Sequence, residues 1–154
     1  VPDCEHIMRY EHLKGMKFEH GVQDCYTILR QFYQDNFNIT LGDYARQDGW
    51  WDKGQNLYVD NFRKEGFHLV DSPRWELKKA DVILMAMRSP VANHCAIYLG
   101  DGNILHHFYG RFSNVELYKG LWYNATVGVI RHKDVSVPDD FQVLNILDLR
   151  KGMM

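Results

Sequence analysis

The chain has 154 residues, about one domain's worth, and its 45% hydrophobic and 14% aromatic side chains can close a core rather than stay disordered. Its 18 basic and 20 acidic residues leave a net charge of −2, which lacks the basic footprint of a nucleic-acid binder. No apolar run approaches the ~18 residues that span a bilayer, and no basic stretch leads into an apolar one as a secretory signal would.

In chain order, residues 5–13 predict a short helix closed by Gly15. Asp24 is a good N-cap, and residues 25–35 carry Ile28, Leu29, Phe32 and Tyr33 at helical spacing, which predicts an amphipathic helix. Residues 40–54, rich in Gly, Asp and Trp, read as a loop or short helical turn. Residues 56–65 read as a second helix stopped by Gly66. The pattern then changes. Residues 81–87 are a nearly continuous apolar run, hence a buried strand. Residues 94–99 and 103–109 flank a turn at Gly100-Asp101-Gly102, and residues 114–118 and 126–132 are further strands. Helices first and an antiparallel sheet after predict an α+β domain, with N-terminal helices packed on a central antiparallel sheet. The domain is expected over residues 1–135. Residues 136–154 read as an apolar extension suited to docking on a partner.

Three cysteines, Cys4, Cys25 and Cys95, are too few and odd in number for a disulfide framework, and no C-x-x-C pair marks a structural zinc site. Cys25 falls in the first turn of the predicted helix, where free N–H groups and the helix dipole stabilise a thiolate, against the negative charge of Asp24. A thiol nucleophile needs a base, and the base needs an orienting group. His94 and His106 offer both if they share a face. A two-residue turn at Asp101-Gly102 would put them on opposite faces of the hairpin; a three-residue loop at 100–102 would pair Ala96 with His106 and bring His94 diagonally beside it. Zinc is the competing chemistry for His94, Cys95, His106 and His107, but neighbours along a strand face opposite ways and these four do not converge; no metal or cofactor is expected. Cys95 is expected to face away from His94 into the core. Trp50, Trp51 and Tyr58 read as core or rim aromatics, with a groove wall as the alternative. Nothing in the spacing of Asp81, Asp101 or Glu116 singles out an acid.

The segment Gly21-Val22-Gln23-Asp24-Cys25 before an amphipathic helix resembles the nucleophile motif of NlpC-type papain-like cysteine peptidases. The segment from His94 to Gly100, with His106 twelve residues after His94, is similar to that family's base and third catalytic residue, and Leu77 to Val82 to the approach to its first central strand. The resemblance spans roughly residues 14–132. It implies a papain-like fold, a Cys25–His94 pair oriented by His106, an oxyanion site using the Cys25 backbone N–H, and hydrolysis of peptidoglycan peptides. It also marks Phe18, Asp24 and Tyr26 as substrate-binding positions. Two of them depart from the family pattern, with Phe18 where most members have Tyr and Tyr26 where most have Ser.

A narrower resemblance, through Glu11 to Met16, Phe18 to Tyr26 and Gly128 to His132, is to tail-tip assembly proteins of lambda-type tailed phages. It implies a protein made in the host cytoplasm, built into a virion tail tip among other tail proteins, and acting on the cell envelope. The alternative it leaves open is a structural tail component with a vestigial or blocked site.

Overall fold

The computed structural model describes residues 8–46, 48–53, 55–71 and 76–138. Helix α1 spans Cys25–Phe37. Asp24 caps it by accepting from the Thr27 N–H at 3.0 Å and the Thr27 hydroxyl at 2.9 Å. It ends at Asn38, held left-handed at φ 55°, with the Asn38 N–H on Gln34 O and the Ile39 N–H on Tyr33 O. Its buried face carries Tyr26, Ile28, Leu29, Phe32 and Tyr33.

Helix α2 spans Leu57–Asn61 and α3 spans Leu121–Asn124. The strands are β1 Phe67–Leu69, β2 Val82–Met85, β3 His94–Gly100, β4 Asn103–His106, β5 Asn114–Leu117 and β6 Thr126–His132. They form one antiparallel sheet in the order β1-β6-β2-β3-β4-β5. Alternate residues of β2 feed two cores. Val82 and Leu84 pack with α1, while Ile83 and Met85 pack with Ala96, Ile104, Val129 and Trp122 on the other face. A strand covered on both sides has no polar face to alternate with, which is why its sequence is a continuous apolar run.

The β3–β4 hairpin combines both sequence alternatives. Asp101 and Gly102, both at positive φ, make a two-residue turn that pairs Gly100 with Asn103. A bulge between Tyr98 and Gly100 then shifts the register, so that Tyr98 pairs with Ile104 and Ala96 with His106. The extra residue restores the arrangement in which His94 and His106 share a face.

Several expectations are revised. Among the described residues, the first predicted helix is only a 3₁₀ turn at Glu11–Leu13, whose preceding Tyr10 makes no side-chain cap. The helix expected over residues 56–65 spans only the five residues of α2, and the chain runs on through turns to Gly66. Gly66 sits at φ 96°, where an added Cβ would lie 2.5 Å from His132 Nε2, so glycine is required both by the backbone and by the ring. Strand β4 stops at His106 rather than at Tyr109, because the chain turns back there through the Arg111 N–H on Phe108 O and the His107 ring on Arg111 O. The sequence pattern gives no signal for the edge strand β1 or the short α3. Each buries a single residue within the element and so shows no period. Val135 and Val137 still pack on the α1 core, and residues 139–154 of the expected extension lie outside the described residues. No helix among the described residues is long and apolar enough to cross a membrane.

Candidate active site

The N-terminus of α1 abuts the end of the sheet where β3 begins and β4 finishes, and a cleft opens between them. Its lining includes Cys25 and His94, with Phe18, Trp51, His107 and Tyr109 around them. The Cys25 N–H lies in the first turn of α1 and has no helical acceptor. Asn93 sets the approach to β3: its side chain accepts from the Met87 N–H at 2.7 Å and donates to the Met87 carbonyl at 3.0 Å, closing the loop that delivers His94.

His94 and His106 are directly bonded, Nε2 to Nδ1 at 2.8 Å. The far nitrogen of His106, Nε2, reaches a carboxylate oxygen of Glu116 on β5 at 2.7 Å. This chain fixes the protons. Burial, together with the charge of His94, pushes His106 down to about 4 against the pull of Glu116, so the ring is neutral near pH 7. Its one proton sits on Nε2, facing the carboxylate. His106 Nδ1 is therefore a lone pair that accepts from the His94 Nε2–H, which leaves His94 Nδ1 as the basic nitrogen for Cys25. Trp122 stacks edge-on over His106 at 4.5 Å, and Phe108 over His94 at 5.4 Å, shielding both rings from water.

Cys25 is held well below the usual thiol range. The largest cause is the Cys95 thiol beside it; burial opposes it, and the hydrogen bond and charge of His94 add to the lowering. The Tyr58 hydroxyl lies 2.9 Å from Cys25 Sγ. Cys95 is buried on the α1 side of β3, so adjacent residues of one strand, His94 and Cys95, reach Cys25 from opposite faces of the sheet.

The three positions that the resemblance marks for substrate binding fall at different depths. Phe18 is part of the cleft wall, 4.9 Å from the Tyr109 ring and 5.3 Å edge-on from His107. Asp24 borders the cleft, but its carboxylate is fully engaged by Gly21, Thr27 and Arg46, whose side chain is only 4% exposed. Burial pushes Asp24 up, yet the hydrogen bond and charge of Arg46, with the Thr27 bonds, bring it below the ordinary carboxylate range. Tyr26 lines an apolar hollow behind Tyr58 and donates to the Gly42 carbonyl. Asp81, just before β2, is engaged elsewhere, accepting paired 2.7 Å bonds from Arg131 of β6.

The pattern of the NlpC/P60 family matches residues 14–131, and the chain belongs to that family. It is 43% identical over 122 residues to tail tip assembly protein K of Escherichia phage lambda, covering 79% of this chain and 60% of that protein. It is 32% identical over 120 residues to tail tip assembly protein K of Escherichia phage N15, covering 75% and 47%. The chain thus spans about half to three-fifths of the length of these relatives. Among solved structures, an NLP/P60-family protein similar to lipoprotein from Staphylococcus aureus superposes with a TM-score of 0.55 at 17% identity, over 79% of this chain and 38% of that one. The fold is the papain-like one of that family.

Proposed function

We propose that this domain is a cysteine endopeptidase that cuts the stem peptides of bacterial peptidoglycan, and that it serves in a phage tail tip, opening the wall during penetration. One observation carries the reading: a thiol at a helix N-terminus shares a cleft with an imidazole whose other nitrogen is bonded to His106 and, through it, to Glu116. Family membership supports the chemistry, and the likeness to the two phage proteins supports the setting.

In this reading His94 Nδ1 takes the Cys25 proton, and the thiolate attacks the scissile carbonyl carbon. The S–C bond forms as the C=O electron pair moves onto oxygen, which the free Cys25 N–H at the helix terminus is placed to receive. The tetrahedral intermediate collapses, the C–N bond breaks, and the amine leaves with the proton from His94 Nδ1. Water, deprotonated by the same nitrogen, then attacks the thioester, releasing the acid and restoring the thiolate.

Peptidoglycan digestion followed by mass spectrometry of the fragments tests this. The wild-type protein is expected to release stem-peptide fragments, and Cys25→Ala to release none while keeping its circular dichroism spectrum. Intact peptidoglycan after wild-type treatment, with Cys25→Ala particles that infect normally, would sink the reading in favour of a purely structural tail role.

A further inference from the structure

Beneath the nucleophile is a contact that the Cys25–His94–His106 set does not use. Tyr58, on α2, is 8% exposed; its Oη donates to Cys95 Sγ at 3.1 Å and lies 2.9 Å from Cys25 Sγ, a contact in which either atom can donate. A phenol against two sulfurs has one proton to give, and the state of the sulfurs decides which receives it. Cys95 Sγ donates to the Cys25 carbonyl oxygen at 3.4 Å, and burial pushes its thiol well above the ordinary value, so it keeps its proton. Burial keeps the Tyr58 hydroxyl protonated as well. Cys25 is the member of the trio that ionises, and a hydrogen bond to an anion is about twice as strong as one to a neutral sulfur.

From this geometry we propose that Tyr58 is a further catalytic residue, whose hydroxyl donates to the Cys25 sulfur and holds it as the attacking thiolate. The proposal deepens the peptidase reading and rests on it for its purpose, though not for its test. Tyr58 approaches from α2 while His94 approaches from β3, so the charged sulfur is held from two sides. As the S–C bond forms, negative charge leaves the sulfur and the Tyr58 bond weakens. Its effect therefore falls on the population of the thiolate rather than on later steps.

The test is alkylation of Cys25 by iodoacetamide as a function of pH, with the label located by mass spectrometry, in wild type, Tyr58→Phe and Tyr44→Phe. Tyr58→Phe deletes the hydroxyl and no carbon. The Tyr44 hydroxyl bonds Glu65 instead and serves as the matched control. The Cys25 midpoint is expected to rise by about one pH unit in Tyr58→Phe, which is roughly tenfold less thiolate below both midpoints, while Tyr44→Phe follows wild type. Site-specific 3-fluorotyrosine at position 58 keeps the shape, donates more strongly and is expected to move the midpoint down; it decides the matter if Tyr58→Phe does not fold. An unmoved midpoint, or equal shifts in the two phenylalanine variants, overturns the Tyr58 assignment whether or not peptidoglycan is cut. A shifted midpoint without cleavage overturns the peptidase reading alone.

Discussion

Glu116 is the residue on which the proton order of the site depends. Without a carboxylate on its Nε2 side, His106 is free to place its proton on Nδ1, where it would oppose the His94 Nε2–H. Glu116→Leu is therefore expected to lower kcat roughly 10- to 100-fold with KM little changed, less than the 10²–10⁴ that general acid–base transfer itself contributes; steady-state kinetics on a peptidoglycan fragment would check it. Glu116→Gln, which retains an oxygen acceptor, is expected to lose less. Cys25, His94 and His106 were legible from the sequence because each combines a reactive group with a position on a recognisable element. Glu116 was not: it is one acid among many, and its strand alternates weakly, with two half-buried residues between two exposed ones. Tyr58 was legible only as an aromatic, since its contacts with Cys25 and Cys95 join residues 33 and 37 positions apart.

The helix that carries Cys25 is anchored from below by charge. Asp24 caps α1 and also neutralises Arg46, and both side chains are 4% exposed. Asp24→Ala removes the cap and strands a buried guanidinium, with an expected destabilisation of about 3–5 kcal/mol in urea unfolding. The double change Asp24→Leu with Arg46→Met is expected to recover a large part of it, since the unpaired charge goes too. Helix α1 was read to within two residues at its C-terminal end because cap and period agree. The shortfall in α2 has a physical cause, since a five-residue helix followed by turns carries the same composition as a ten-residue one. The hairpin was legible only as a choice between two registers. Sequence names the turn residues, but the bulge that decides the register is fixed by how Leu99 and Gly100 settle against the sheet.

At the scale of the molecule, the buried imidazole ties stability to acidity. Because the folded state holds His106 near 4 and the unfolded chain near 6.5, the unfolded state binds more protons between those values. Stability is therefore fully present above about pH 6.5 and is lost as pH falls toward about 4, by on the order of 3 kcal/mol. Thermal melts across this window are expected to show that slope in wild type and a flatter one in His106→Asn.

The chemistry and the cleft wall come from different kinds of structure. Cys25, His94, His106 and Glu116 sit on one helix and three paired strands, whereas Phe18, His20, Trp51 and Tyr109 come from connecting segments, cross-linked where the Tyr109 hydroxyl donates to Asp48 at 2.9 Å. Connecting segments accept substitution and changes of length far more readily than paired strands. On the peptidase reading, a lineage can thus reshape what enters the cleft, one loop at a time, and leave Cys25, His94, His106 and Glu116 untouched. Grafting those loops between relatives would, on the same reading, exchange what their clefts admit.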